Sequence, residues 1–346
     1  MTLRRHLSAL VSVLLAPAFA SAASYDTANF TTEAPTAELA KKFGDMAEYY
    51  REEKALEWTG KKMAQWPRRC PLQVQITDGS AGGATTFTFG TVNDRPAVTS
   101  LKMEIRGNAK QLLNSVLPHE VTHTVFAHHY GRPVPRWADE GGSVLSENDE
   151  ERFNHDVRCR ELLNAGRGIR LRVLFRMTEY PRDMIVLYAQ GYSVSQYLVK
   201  QGGDGREGRQ KLLQFLGLGM QGNTAESWNA AASKLYGHDT IDALEEAWLT
   251  ALKTPPVRVA ARDTTPPGGL TGGGTKTELR SSAAPAVPLL EPPVKAVRAA
   301  APDREPIRLP PPDQGAFGGT PVARPLAPER PPLVLGPPEL PRPMKP

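Results

Sequence analysis

Two histidines four residues apart, with a glutamate directly after the first, form the segment of this chain best suited to chemistry. The segment is His119-Glu120-Val121-Thr122-His123. Side chains four apart lie on the same face of a helix, so the two imidazoles can bind one metal ion. Glu120 projects about 100° around the helix from His119, where it can reach a water molecule without becoming a ligand. We therefore predict a metal site with its own general base.

A second motif supplies the third ligand. It is Pro135-Arg136-Trp137-Ala138-Asp139-Glu140-Gly141-Gly142-Ser143, and 16 residues separate its Glu140 from His123. That gap is long enough for the chain to turn and return a carboxylate to the metal. Two histidines and one carboxylate leave the fourth tetrahedral position to water, as in catalytic zinc sites, whereas structural sites fill all four positions. The chain has only 2 cysteines, which excludes a cysteine-rich structural site.

Together the two motifs resemble those of the gluzincin metallopeptidases, which have thermolysin-like catalytic domains, and among them the bacterial peptidase MA-like proteins. The resemblance spans residues 70–250. It includes Tyr188-Ala189-Gln190-Gly191, which is similar to a Tyr-x-x-Gly segment of zinc aminopeptidases in this clan. What it implies is one Zn²⁺ per chain, bound by His119, His123 and Glu140.

The resemblance also implies roles for residues around the metal. Glu120 would be the general base of peptide hydrolysis. Tyr188 would donate a hydrogen bond to the oxyanion, and such a donor contributes about 2.7–4 kcal/mol in comparable sites. Glu147 would orient a ligand histidine through its distal ring nitrogen. The residues themselves leave simpler interpretations open, namely a core aromatic for Tyr188 and a solvated carboxylate for Glu147.

His129 offers a rival third ligand. Its spacing from His123 matches the metzincin pattern HExxHxxGxxH, and Met177 downstream resembles a Met-turn residue. That pattern requires glycine where this chain has Phe126, because the chain must leave the helix sharply there. We therefore favour Glu140 as the ligand and place His129 at the end of the helix.

The residues before the zinc motif predict a helix and a strand. Regular apolar spacing indicates a helix that runs from about Ala109 and kinks at Pro118, which lacks a backbone donor. The strand over 98–106 is one against which an extended substrate could pair. Glu104 lies on it, but its neighbours differ from those of the amine-binding glutamate in the clan's aminopeptidases, so we assign it no such role.

The fold class predicted for the whole chain is α+β. We expect a helical lead-in over 23–69, with its helix at 37–58, and a zincin-like domain over 70–253. That domain would have a small, mainly antiparallel sheet followed by a helical half. The predicted strands are 74–76, 86–89 and 98–105, and the predicted helices after the zinc helix are 137–147, 156–164, 184–200, 208–215, 225–236 and 241–253.

The N-terminus predicts export. Arg4 and Arg5 precede an apolar run over 10–20 and small residues at Ala20-Ser21-Ala22, which together are typical of a signal peptide over 1–22. No later stretch has the about 18 apolar residues of a transmembrane helix, so we predict no membrane anchor. The mature protein would be secreted or periplasmic.

Cys70 and Cys159 are the only cysteines, and in an oxidising compartment they suggest a disulfide, with two buried thiols as the alternative. A bridge over this span would contribute roughly 4–5 kcal/mol in the chain-entropy model. It would be structural rather than catalytic.

Residues 254–346 hold most of the chain's 32 prolines and show no apolar periodicity, so we predict a disordered tail. The tail is either a spacer or a segment that binds an acidic envelope surface or a proline-recognising protein. The formal net charge of +5 is small and scattered, and no nucleic-acid motif is present, which argues against nucleic-acid binding.

These features predict a secreted zinc-dependent peptidase that acts on a peptide or protein substrate. The alternative is a non-catalytic secreted binding protein on a zincin scaffold, which would act through its proline-rich tail.

Overall fold

A small sheet and a set of helices make up a mixed α/β architecture in the computed structural model, which describes residues 22–255. The predicted signal peptide and tail, apart from residues 22, 254 and 255, lie outside this range. Within it the strands form one five-stranded sheet in the order β1-β2-β3-β5-β4. The strands are β1 (Ala23–Asp26), β2 (Phe30–Ala34), β3 (Cys70–Ile76), β4 (Gly82–Val92) and β5 (Arg95–Gly107).

The sheet is mixed, so the prediction of a mainly antiparallel sheet is confirmed only in part. β1 pairs with β2 and β4 with β5 in antiparallel fashion, but β3 is parallel to both β2 and β5. The first parallel pair arises because helix α1 (Ala37–Thr59) connects β2 to β3 as a crossover. The second arises because β5 returns between β3 and β4 instead of adding at the outer edge.

Residues 23–69 contain more than the predicted helix, because they add two strands to the sheet. Phe30, Thr32 and Ala34 of β2 are buried on alternate positions, a pattern too short to recognise beforehand. Helix α1 begins at the cap Thr36, whose side chain accepts a hydrogen bond from the Leu39 amide, and ends at Gly60 in the left-handed conformation.

The predicted helices are present, and all but 225–236 have shifted ends. The helix of the second motif is shorter than predicted because Asn148 adopts an extended conformation and caps the next helix through the Glu151 amide. The helices are α2 (Ala109–Gln111), α3 (Leu117–Tyr130), α4 (Arg136–Val144), α5 (Asp149–Asn164), α6 (Leu171–Leu174), α7 (Met184–Gln201), α8 (Gly205–Gly219), α9 (Ala225–Tyr236) and α10 (Ile241–Ala251).

Pro118 is accommodated by a π-helical segment, Leu112–Val116, that joins α2 to α3. The helix thus starts at Ala109, as predicted. In this segment the Leu117 amide bonds to the Leu112 carbonyl, so the Leu113 carbonyl would next require an amide from Pro118, which has none. The buried Tyr50 hydroxyl donates to that carbonyl at 2.9 Å instead. Helix α1 thereby completes the hydrogen bonding of the zinc-motif helix.

Helix α3 lies between two apolar clusters. Leu117 and Val121 pack into the cluster that includes the sheet, whereas Val125 and Phe126 pack into the larger helical cluster. Cys70 belongs to the first cluster and Cys159 to the second, and both are free buried thiols. The predicted disulfide is therefore wrong, because α3 contributes to both clusters and the two cysteines lie in different ones.

Across residues 22–255, none of the helices is long and apolar enough to cross a membrane.

Candidate active site

Glycines in the second motif let α4 approach the helices beside it. A Cβ at Gly142 would lie 2.6 Å from the Phe126 ring of α3, and a Cβ at Gly141 would lie 2.2 Å from the Gly191 carbonyl of α7. Neither contact is sterically allowed, so only glycine fits these positions. Glu140 precedes this pair directly, and the close packing brings its carboxylate to the histidines of α3.

Three buried side chains converge at this junction. Glu140 Oε2 lies 3.5 Å from His119 Nε2 and 3.6 Å from His123 Nε2. Ligands of a tetrahedral zinc ion with bonds of about 2.0–2.1 Å are roughly 3.3–3.4 Å apart, so these separations suit a shared metal ion. In the described part of the chain, this is the only group of three or more such side chains arranged to hold one.

The unpaired oxygen of Glu140 is a second indication that these side chains could hold a metal ion. Glu140 is 2 % exposed, and its Oε2 is buried without a hydrogen-bond partner. Burial opposes ionisation of this carboxyl, but His123 and His119 outweigh it and hold its pKa below the usual range. A buried, ionised oxygen without a donor is costly, and a bound cation would satisfy it.

Both histidines are oriented through their other ring nitrogen, Nδ1. His119 Nδ1 lies 2.7 Å from Glu147 Oε1, the contact that the resemblance implied for Glu147. His123 Nδ1 lies 2.8 Å from Asp139 Oδ1. Asp139 was missed, although its position beside Glu140 in the second motif could have suggested it. Each carboxylate accepts the Nδ1 proton and so leaves Nε2 free to bind a metal.

Glu120 lies beside His119, His123 and Glu140 and under strand β4. Thr85 donates a hydrogen bond of 2.7 Å to Glu120 Oε2, and a Cβ at Gly83 would lie only 2.6 Å from Oε1. Burial raises the pKa of Glu120, although the two histidines and Thr85 partly oppose this. A carboxylate with a raised pKa is suited to accept and return a proton near neutral pH.

Two tyrosines lie next to Glu140, and only one was predicted. The Tyr188 ring is stacked 6.5 Å from the His119 ring, and it reaches this place because Gly191, one turn later on α7, packs against α4. Burial and the carboxylates of Glu140 and Glu120 raise the Tyr188 pKa, so its hydroxyl stays protonated. The second tyrosine, Tyr180, donates a hydrogen bond to Glu140 Oε1. No motif marked Tyr180.

Three residues that were considered for other roles, His129, Met177 and Glu104, lie outside the group of His119, His123 and Glu140. His129 lines a cavity of about 240 Å³ together with Lys61 and Met63, and it does not join the ligand group. Met177 packs against the helical cluster. Glu104 faces outward on β5, where Lys102 pairs with it at 2.9 Å.

The strand expected to pair with a substrate is only partly open for pairing. Residues 103–106 of β5 are hydrogen-bonded to β3 on one side and β4 on the other, whereas 98–102 have a partner strand only on the β4 side. β4 lies at one end of the sheet order and β1 at the other. The prediction that the 98–106 strand pairs with a substrate is therefore wrong for residues 103–106, and the strand edge beside Glu120 belongs to β4.

Comparison with known proteins does not identify a family for this chain. No family model matches this sequence, and no curated protein matches it. The likeness to gluzincins rests on the residues of the site.

Proposed function

We propose that this chain is a secreted or periplasmic zinc-dependent peptidase with a gluzincin-type site in a zincin-like domain. The observation that carries the proposal is the buried triangle of two Nε2 atoms and the unpaired Glu140 Oε2, with the Glu120 carboxylate beside it. Two histidines, one carboxylate and an adjacent acid are the donor set of catalytic zinc in hydrolases.

The side chains fit hydrolysis by an attacking water. Zinc held by His119, His123 and Glu140 would polarise a carbonyl and lower the pKa of water to about 7. Glu120 takes the proton from the attacking water through Oε1, since Thr85 holds its Oε2, and then passes the proton to the leaving amine. The protonated Tyr188 hydroxyl donates to the developing oxyanion.

A peptide substrate is favoured because the site borders the free edge of β4. Gly83 and Thr85 of this strand contact Glu120, so an extended chain that pairs with β4 passes the general base. Pairing of this kind uses main-chain hydrogen bonds and brings a peptide bond to the site with little demand on its side chains. The Gly83 position lacks a side chain, which keeps this part of the strand close to Glu120.

The test compares four forms of the mature protein: wild type, Glu120→Gln, Glu140→Ala and His129→Ala. Zinc content and casein hydrolysis are measured with and without a chelator. We expect one zinc per chain in wild type, Glu120→Gln and His129→Ala, and loss of zinc in Glu140→Ala. We expect Glu120→Gln to lose on the order of 10²–10⁴-fold in activity, because a positioned general base contributes about that much.

Three results would contradict the proposal. Full hydrolysis by zinc-loaded Glu120→Gln protein would remove the general base from the mechanism. Loss of zinc with His129 instead of Glu140 would move the site to the metzincin ligand set. Stoichiometric zinc without hydrolysis of any peptide would favour the non-catalytic binding protein. The mature N-terminus, read by mass spectrometry from the exported fraction, tests the localisation.

A further inference from the structure

Tyr180 makes the two carboxylate oxygens of Glu140 differ in their contacts. It lies between α6 and α7, and its hydroxyl donates a 2.5 Å hydrogen bond to Glu140 Oε1. The other oxygen, Oε2, is buried without a hydrogen-bond partner and faces the two Nε2 atoms. With Oε1 held by Tyr180, only Oε2 is free to bind a metal ion.

Arg136 holds the segment that carries Tyr180. Its guanidinium carbon lies 4.5 Å from the centre of the Tyr180 ring, which is a cation–π contact. Its Nε donates to the Thr178 carbonyl at 3.2 Å, and its backbone amide donates to the Met177 carbonyl at 3.0 Å. These contacts attach residues 177–180 to the start of α4, four residues before Glu140.

The same arginine reaches a second metal ligand. Arg136 Nη1 lies 3.5 Å from Asp139 Oδ2, and Asp139 Oδ1 accepts from His123 Nδ1. Arg136 is thereby linked to Glu140 through Tyr180 and to His123 through Asp139. Two of the three ligands share one support at the start of α4.

We propose that Tyr180, held by Arg136, is a positioning residue that keeps Glu140 a one-oxygen ligand. This inference rests on the metal site of the proposed function. A carboxylate that can turn offers a metal both oxygens, and the second would take the position that hydrolysis needs for water. Removal of the Tyr180 hydroxyl leaves Oε1 without its donor in a buried place, so binding to the metal becomes its best alternative.

The test uses the zinc-loaded mature protein and the variant Tyr180→Phe. X-ray absorption at the zinc edge counts the oxygen and nitrogen ligands, and competition with a chelator gives the zinc dissociation constant. We expect Tyr180→Phe to gain one carboxylate oxygen at the metal and to bind zinc roughly 10-fold more tightly, because the metal then satisfies an oxygen that the metal-free variant leaves buried without a donor. Arg136→Lys should show the same change to a smaller extent, because lysine keeps the charge but loses the planar fork.

Tyr49→Phe is the matched control. Tyr49 is 39 % exposed and Tyr180 is 38 % exposed, and each hydroxyl donates to a glutamate, but Tyr49 and its partner Glu53 lie on α1. This control should leave both zinc readouts unchanged.

Each other outcome overturns the inference in a distinct way. Unchanged ligand count and zinc affinity in Tyr180→Phe would refute the positioning role, even if hydrolysis fell, and would indicate that the hydroxyl acts on the substrate. A wild-type protein that binds no zinc would refute the proposed function as well. A change of equal size in Tyr49→Phe would show that the effect is not specific to the site.

Discussion

Replacement of Gly83 by alanine should displace the general base while the metal ligands stay in place. A Cβ at this position would lie 2.6 Å from Glu120 Oε1, 2.8 Å from its Cγ and 2.9 Å from its Cδ. Ordinary contacts of a Cβ begin near 3.4 Å. The carboxylate must therefore move by about 0.8 Å, the difference between these two distances, to relieve the overlap.

The side chain rather than the strand should give way. β4 is paired with β5 along its whole length from Gly82 to Val92, whereas the Glu120 carboxylate is held in place by one hydrogen bond from Thr85. A misplacement of about 1 Å in a catalytic geometry costs on the order of 10²-fold in rate. For 0.8 Å we expect kcat/KM to fall roughly 10–100-fold, which corresponds to about 1.4–2.7 kcal/mol of transition-state stabilisation.

The assay measures kcat/KM on a peptide substrate, zinc content and the melting temperature for Gly83→Ala and for Gly79→Ala. Gly79 is the matched control, because a Cβ there would meet nothing within 4 Å. Gly83→Ala should retain its zinc and its melting temperature, and Gly79→Ala should behave as wild type in all three. Wild-type kcat/KM in zinc-loaded Gly83→Ala would refute the placement of Glu120 under β4, and loss of zinc would show that the strand supports the ligands instead.

Three further predictions concern groups that support the site and the core. Asp139→Ala should weaken zinc binding about 10–100-fold in chelator competition, because its ligand histidine loses the Nδ1 acceptor. Cys70 and Cys159 should titrate as two free thiols after unfolding, and the native thiols should form thiolate about 1000-fold less than exposed ones at pH 8, since burial raises the pKa of each from 9.0 to about 12. Tyr50→Phe should lower the free energy of unfolding by about 1–3 kcal/mol in denaturant titration, because the buried Leu113 carbonyl loses its donor.

The helix that carries His119 and His123 shows which structural features a local sequence pattern can predict. Its start near Ala109 and the irregularity at Pro118 follow from apolar spacing and from the missing proline amide, both of which are local properties. The partner of the Leu113 carbonyl does not follow from them, because Tyr50 is 63 residues away in sequence. The irregularity at Pro118 therefore could be located in the sequence, but its π-helical form and its stabilisation could not.

The sheet shows a feature that the local sequence pattern could not predict, namely how its strands pair. Alternating residues indicated three strands, but pairing direction depends on the order in which strands meet in space, and the sequence pattern is the same for a parallel and an antiparallel neighbour. The insertion of β5 between β3 and β4 placed β4 at one edge of the sheet and paired residues 103–106 of β5 on both sides. Over these residues the predicted substrate strand is therefore an inner strand, a position that its own pattern does not reveal.

The sequence by itself determined the relation of His119, Glu120 and His123, because helix geometry sets the directions of side chains one and four residues apart. It also indicated Glu140, whose spacing allowed a return to the histidines, and the resemblance suggested Glu147. Only the tertiary structure decided which carboxylate faces each imidazole. It also brought Tyr180 to Glu140 and separated the two cysteines. These features depend on how distant segments pack. The motifs contain the glycines that allow close helix contacts, but they do not encode which residues those glycines meet or the order of the strands.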